Sequence, residues 1–337
     1  MLPDKRAFSA QRTDRQVFVE SPLQTSTMEL TLPSHNSLLG DLSELDTWPA
    51  GIGVPARPSD RIHHLIELLR ELKPPGLALT ITREEQRQYM YALAELVEFH
   101  QIFTWLRQEN PAVLRPKLMR SLSGSLDPAD ESATNNVGRN TIFELSLASE
   151  WRRAGLEVVI GEPDLRLILG PQEFVVECKR PFDWTGIVRG LKDAKRQLRK
   201  SSARANAGAP KGVIAISLSK IVARGERILW ADSMADKSKL GEIIESELAA
   251  NRWRWWNKVQ FDDSIAGVLF HLSLPADVGK GDHFALLSFS NIYQAGANRE
   301  ALALLNQAME PLFRDSTPGL SKVHHPPAPS SRPRKRE

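Results

Sequence analysis

The sequence is poor in cysteine, since Cys178 is the single one among 337 residues. One cysteine excludes an internal disulfide framework and a zinc site built from several cysteines, and it is typical of a protein in a reducing compartment. No stretch approaches about 18 consecutive apolar residues, so we expect no transmembrane helix and no membrane partner. The N-terminal "MLPDKRAFSAQRTDRQ" is polar and lacks the apolar segment of a secretory signal. We therefore expect a cytoplasmic protein.

A strong excess of charge of one sign is also missing, because the formal net charge is only +3. Bulk charge therefore says little about partners, and evidence for a polyanionic ligand must come from local clusters of basic side chains. The remaining composition, 41% hydrophobic and 25% charged residues, is typical of a globular protein with a sizeable core.

Breaker residues and apolar periodicity divide the chain into five parts. We predict an irregular N-terminal segment over 1–57, a helical accessory domain over 58–122, a linker over 123–138, a mixed α/β domain over 139–313 and a disordered basic tail over 314–337.

A capping box indicates where the main helix of the accessory domain begins. Thr82 is followed three residues later by Glu85, and each can satisfy a backbone N–H of the first turn. We expect the helices of this domain to serve target recognition, homodimer formation or binding of an accessory protein.

Between 139 and 219 the pattern alternates between helical and strand-like segments in the order αβββαβ, which predicts a mixed α/β core. Within it, "PDLRLILGPQEFVVECKRP" at 163–181 predicts a hairpin whose apolar strands end in charged residues. Because strand side chains alternate, Glu177 and Lys179 share one face while Cys178 points to the other, apolar face. Antiparallel pairing about Gly170–Pro171 brings Asp164 opposite Glu177 and Lys179.

Two carboxylates that converge at the mouth of a sheet are typical ligands of a hard divalent cation, Mg²⁺ or Mn²⁺. Asp164 and Glu177 are the candidate metal ligands, and the backbone carbonyl of Cys178 lies between them in position to add a third. The Lys179 amine can orient and help deprotonate a water, or stabilise charge on a phosphorane. This set suits hydrolysis of a phosphodiester; the alternative interpretation is a surface cluster of ion pairs.

These residues resemble the PD-(D/E)XK nuclease superfamily, whose motif matches Pro163-Asp164 and then Glu177-Cys178-Lys179. The resemblance covers roughly 139–219 and implies a restriction-endonuclease-like fold with a central mixed sheet. It also implies a metal-dependent nuclease that acts on DNA as an endonuclease, of a kind that serves in defence or repair. The resemblance further implies a catalytic Glu on the first helix. Glu144 is the preferred candidate because it falls within the apolar face, where a Glu needs a partner and a metal site would supply one, whereas Glu150 lies nearer the edge of that face.

A basic helix is predicted over 185–205, with the apolar stripe Ile187, Leu191, Ala194 and Leu198. Its basic side chains form a candidate contact surface for nucleic-acid phosphates, with a solvated face as the alternative. The candidate nucleic-acid-binding residues are Lys192, Lys195, Arg196, Arg199 and Lys200.

The remaining patterns are weaker indications of function. The stretch "NRWRWWNK" at 251–258 can stack bases but is more typical of a helix end docked on a core. The pair His63-His64 is adjacent and chelates poorly, and Cys178 has no neighbouring base that would make it a nucleophile. The competing functions are a non-catalytic module that binds nucleic acid or protein on the same fold, and a structural protein whose charged cluster is an ion-pair network.

Overall fold

The computed structural model describes residues 26–31, 35–55, 57, 60–71, 82–132, 134–162, 164–202, 210–231, 238–255, 258–259, 261–278, 283–294 and 298–314. Within these ranges the protein is an α/β structure with helices on both faces of one mixed sheet. No helix in the described ranges is long and apolar enough to cross a membrane. Pro163 and the tail beyond 314 lie outside the description.

The strands are β1 (Ser26–Thr31), β2 (Glu157–Ile160), β3 (Leu165–Leu169), β4 (Gln172–Lys179), β5 (Lys211–Ser217), β6 (Leu229–Ala231), β7 (Ile265–Val278) and β8 (His283–Gln294). The helices are α1 (His35–Gly51), α2 (Arg61–Glu71), α3 (Arg83–Leu106), α4 (Pro111–Ser121), α5 (Val137–Arg153), α6 (Trp184–Ser202), α7 (Ser219–Ala223), α8 (Ser238–Trp255) and α9 (Arg299–Arg314).

The strands pair in the spatial order β1-β8-β7-β5-β4-β3-β2, and the short β6 pairs with one end of β7. β2, β3 and β4 are antiparallel neighbours, whereas β4, β5 and β7 run parallel. The predicted order αβββαβ is observed as α5-β2-β3-β4-α6-β5. Strands β7, β8 and β1 widen the sheet beyond that segment.

The β3–β4 hairpin has the predicted turn. Leu169 pairs with Gln172, and the intervening Gly170 has a φ of +60°, a conformation that glycine adopts without strain. The register continues to Leu165 opposite Val176. Extending it by one step puts Asp164 opposite Glu177, as the symmetry about the turn predicts.

Two apolar clusters cover the two faces of the sheet. Phe174 and Val176 of β4 belong to the cluster beneath α5, and Cys178 packs against the same cluster. Val175 belongs to the opposite cluster, beneath α6. The predicted alternation of β4 is therefore observed, with the faces of Cys178 and Lys179 opposed.

The first cluster extends well beyond the αβββαβ segment. It contains buried side chains of α1, α2, α3 and α4 together with those of α5 and the sheet. The helices of 58–122, which the sequence assigns to an accessory domain, thus share one core with the sheet. α1 occupies part of 1–57, where the sequence predicts irregular structure, and its Leu42 and Leu45 are almost fully buried. An amphipathic face shows that a helix is covered, but not by which element.

A local capping signal locates the start of α3 correctly. Thr82 Oγ1 accepts a hydrogen bond from the Glu85 N–H at 3.2 Å, and Glu85 Oε2 accepts one from the Thr82 N–H at 2.7 Å. This is the predicted capping box of α3.

Candidate active site

The open end of the β3–β4 hairpin brings together the charged residues at the ends of its two strands. Asp164 Oδ2 accepts a hydrogen bond from the Cys178 backbone N–H at 2.8 Å. This bond crosses from the start of β3 to the end of β4 and fixes the Asp164 carboxylate beside the residue that separates Glu177 from Lys179. The three candidate residues Asp164, Glu177 and Lys179 therefore lie at one mouth of the sheet.

Glu177 and Lys179 form an ion pair on the face of β4 that looks toward α6. Lys179 Nζ lies 2.8 Å from Glu177 Oε2, and the Glu177 side chain is only 4% exposed. Gly190 of α6 lies against the stem of Lys179, because a Cβ added there would be 3.4 Å from the Lys179 Cβ. The small residue lets the helix pass close to the lysine.

Burial and neighbouring charges shift the pKa values of Glu177 and Lys179. Burial and the nearby Asp164 raise the pKa of Glu177, while Lys179 opposes the rise. Burial disfavours a charged Lys179, but Glu177 and Asp164 outweigh burial and raise the pKa of the Lys179 amine. Lys179 is therefore an ammonium at neutral pH. In this arrangement the Lys179 ammonium can stabilise negative charge that develops beside it.

Glu144 of α5 is buried and paired with Lys117 of α4. Burial and the negative charge of Asp164 raise the pKa of Glu144 to about 7, against the effect of Lys117. The sequence correctly indicates that a Glu within this apolar face needs a partner, but the partner in the structure is an amine. Lys117 is a site residue that sequence reasoning missed, because nothing local connects "VLRPKLMRSL" with α5.

Glu162 was also missed. This exposed carboxylate contributes to the raised pKa of both Glu144 and Glu177, so it lies within electrostatic reach of each. Its place two residues before Asp164 was the available signal.

Hard oxygen donors at the mouth fit Mg²⁺ or Mn²⁺ in type. Asp164 raises the pKa of both Glu144 and Glu177, so its carboxylate lies within electrostatic reach of each. Two of these carboxylates already have an ammonium partner, Lys117 or Lys179. No cluster of three or more His, Cys, Asp or Glu side chains with metal-binding spacing is present among the described residues.

Cys178 is not an activated thiol. Its burial, followed by the negative charge of Asp164, raises the pKa of the thiol well above its usual range. A thiol held in its neutral form is a poor nucleophile, which agrees with its position on the apolar face.

The basic helix α6 packs as predicted, with Ile187, Leu191, Ala194 and Leu198 buried on the sheet. Lys192 and Lys200 are exposed, and within the described part of the chain no ion pair involves either of them. Arg196 is exposed, and its NH2 group lies 3.0 Å from Asp193 Oδ1.

Two basic residues of α6 are held by Asp262, in the loop before β7. Arg199 Nε donates to Asp262 Oδ2 at 2.8 Å, and Lys195 Nζ lies 3.7 Å from the same oxygen. This loop is bonded to the start of β5, whereas Lys179 stands at the end of β4. The Lys195 side chain is thus directed to the N-terminal ends of the parallel strands, whereas the hairpin mouth lies at their C-terminal ends. The residues from Lys192 to Lys200 extend about 15 Å along the helix axis beyond Gly190.

The other patterns give no site. His63 Nδ1 lies 3.6 Å from Asp46 Oδ1, in a partly exposed pair. The side chains at 252–257, which include the tryptophans of "NRWRWWNK", lie outside the description. Comparison with protein-family models, with curated proteins and with solved structures finds no match to this chain.

Proposed function

We propose that the protein is a metal-dependent nuclease of the PD-(D/E)XK type that hydrolyses DNA phosphodiester bonds as an endonuclease in the cytoplasm. The observation that carries the proposal is the hairpin mouth, where Asp164, the Cys178 backbone and the Glu177–Lys179 pair meet in register. The order α5-β2-β3-β4-α6-β5 around it agrees with the fold that the resemblance implies.

The residues that would hold Mg²⁺ or Mn²⁺ are Asp164, Glu177 and the Cys178 carbonyl. When bound, such an ion supplies a Lewis acid and lowers the pKa of a coordinated water. The chain's own contribution begins with the Cys178 N–H, which orients the Asp164 carboxylate. The Lys179 ammonium, near a cluster of carboxylates, compensates the negative charge that a phosphodiester brings and that grows during hydrolysis.

Glu144 has a different part in this proposal. With a pKa raised to about 7, it exchanges a proton near neutral pH. A carboxyl with such a pKa beside Asp164 is suited to accept or return a proton. Lys117 holds it in place.

The surface of α6 supplies phosphate contacts that lead away from the mouth. Exposed Lys192, Arg196 and Lys200 follow one helix and would bind the backbone without reading bases. Arg199 and Lys195 contribute less, because Asp262 already holds them.

The test is cleavage of supercoiled, linear and single-stranded DNA with Mg²⁺, with Mn²⁺ and with EDTA. Wild type is compared with Asp164→Ala and Lys179→Ala, and DNA binding is measured in parallel by fluorescence anisotropy. We expect metal-dependent cutting by wild type only, with binding retained by both variants. Binding without cutting by the wild type under every metal condition overturns the enzyme proposal.

The second candidate is a non-catalytic module that binds nucleic acid or protein. The observation that favours it is that Glu177 and Glu144 are each neutralised by a lysine, as in a structural ion-pair network. In that case DNA binding is independent of metal and cutting is absent.

A further inference from the structure

A polar cavity of about 80 Å³ lies beside the end of β5 and the second half of β7, and its wall contains none of the hairpin-mouth residues Asp164, Glu177 and Lys179. The residues of its wall that matter here are Glu98, Arg139, Ser146, Arg180, Lys220 and His271. Arg180 directly follows Lys179, so the cavity and the mouth are neighbours at the end of β4. The cavity is large enough for several waters or one tetrahedral oxyanion, and too small for a nucleoside.

Positive charge predominates around the polar cavity. The carboxylate of Glu95 is held between Arg139, whose NH2 group donates to it at 3.0 Å, and Arg61. Glu131 is paired with Arg180. The three cations Arg61, Arg139 and Arg180 outnumber these two carboxylates by one. Lys220 adds a second excess positive charge.

Asp127, which is paired with Arg87, opposes this excess, and so does Glu98. Within the described residues the Glu98 carboxyl makes no hydrogen bond or ion pair, and burial together with the charge of Glu95 raises the pKa of Glu98 to about 7. A carboxyl that is half protonated near neutral pH leaves the polar cavity net positive in either state.

Some hydrogen-bond donors in the wall have N–H or O–H groups without an acceptor in the described structure. Ser146 is only 4% exposed, and its Oγ has no hydrogen-bond partner in the described structure. Lys220 Nζ donates to Pro128 O at 2.7 Å, which leaves further N–H groups for another acceptor. A buried hydroxyl without a partner costs free energy, and an oxyanion in the polar cavity would satisfy it.

We propose that the polar cavity binds the dianionic phosphate group, with Lys220 and Arg180 supplying charge and Ser146 donating a hydrogen bond. His271 completes the wall as a neutral ring, since its Nδ1 lies 2.9 Å from Ser290 Oγ and burial lowers its pKa to about 4. The phosphate is either free inorganic phosphate or the terminal phosphate of a nucleic-acid strand. The second source rests on the proposed nuclease function, and the first does not.

The test is isothermal titration of the full chain with inorganic phosphate in EDTA, with chloride at equal ionic strength as the blank. We expect Lys220→Met to weaken binding by on the order of tenfold or more. Ser146→Ala, a small change that is easily accommodated, should weaken it by about threefold. Lys258→Met is the matched control, because Lys258 is exposed and outside the wall. No phosphate-specific heat in the wild type, or unchanged binding by both wall variants, overturns the proposal.

Oligonucleotides that differ only in the terminal group separate the two sources. Tighter binding of 5′-phosphorylated than of 5′-hydroxyl DNA in EDTA, abolished by Lys220→Met, assigns the polar cavity to a strand end. Equal binding of both oligonucleotides, with inorganic phosphate still bound, assigns it to free phosphate. Neither arm uses cleavage, so a failure of the nuclease proposal leaves this result intact.

Discussion

Lys117 of α4 and Glu144 of α5 form a buried ion pair beside the hairpin mouth, each side chain being 9% exposed. The pair joins a helix of the N-terminal half to the first helix of the αβββαβ segment. It also gives Glu144 the partner that its place in an apolar face requires.

We expect Lys117→Met to lower the free energy of unfolding by about 2–4 kcal/mol, because it leaves Glu144 buried without an opposite charge. Urea denaturation at pH 8 measures this loss. The double variant Lys117→Met with Glu144→Gln should be more stable than Lys117→Met alone, and Lys258→Met is the matched control. A Lys117→Met protein as stable as the control would show that the pair contributes nothing.

Asp164→Asn separates the chemistry of the mouth from its folding. An asparagine oxygen can still accept the bond from the Cys178 N–H, so the melting temperature should change little. We expect the DNA cleavage rate to fall by on the order of a hundredfold or more, since one negative charge is lost from the site. Glu173→Gln removes a carboxylate from the turn end of the same hairpin and should cut at the wild-type rate. Equal rates for both variants would rule out Asp164 as a metal ligand.

The free and the tethered cations of α6 should differ in their effect on DNA binding. We expect Lys192→Ala and Lys200→Ala each to reduce the slope of log affinity against log salt by about one. Arg199→Ala should reduce it less, because Arg199 already pairs with Asp262. Binding titrations across salt concentrations measure the slopes, with Arg70→Ala as control. A larger effect from Arg199 than from Lys192 would contradict the assignment.

Glu150 of α5 should make stability fall as pH rises. Its burial raises the pKa of the folded carboxyl to about 8, from an unfolded value near 4.5, although Arg153 opposes the rise. The folded state therefore holds the proton more tightly, and stability present below pH 4.5 is lost progressively up to about pH 8. We expect Glu150→Gln to be more stable than wild type at pH 8.5, by about 2–4 kcal/mol, and about equally stable at pH 4. Urea titrations at both pH values measure this; an equal difference at each pH would contradict it.

Glu98→Gln should strengthen phosphate binding to the polar cavity. Burial and Glu95 raise the pKa of Glu98 to about 7. The positive charges of Arg180, Arg139 and Arg61 oppose this rise. Glu98 is therefore mostly ionised at pH 8 and mostly protonated at pH 6. We expect the variant to bind inorganic phosphate several-fold more tightly than wild type at pH 8 and about equally at pH 6. Weaker binding by the variant at pH 8 would show that Glu98 serves the ligand.

The sequence predicted best where the determinants are local. The turn at Gly170, the alternation around Cys178 and the capping box at Thr82 each depend on a few neighbouring residues, and all three are observed. The buried stripe of α6 follows from helical periodicity in the same way. The symmetry of the hairpin about Gly170–Pro171 likewise placed Asp164 opposite the strand end that carries Glu177 and Lys179.

Side-chain pairs between distant segments could not be predicted from the sequence. Lys117 and Glu144 are 27 residues apart, and no local pattern links them. The attachment of Lys195 to Asp262, and the cover that α1–α4 give the sheet, depend on how whole elements pack. The cationic wall of the polar cavity gathers residues from α3 to β7, so it has no signature within one segment.

The apolar cluster that α1–α4 share with the sheet restricts how this protein can be recombined. Leu42, Leu118 and Val176 belong to one buried group, although they come from three distant parts of the chain. A gene fusion that joined the αβββαβ segment to foreign helices at 123–138 would expose that face and would strip Glu144 of its ammonium. The N-terminal helices and the hairpin must therefore be retained together in any recombined protein. Substitutions in one are expected to be accompanied by compensating substitutions in the other.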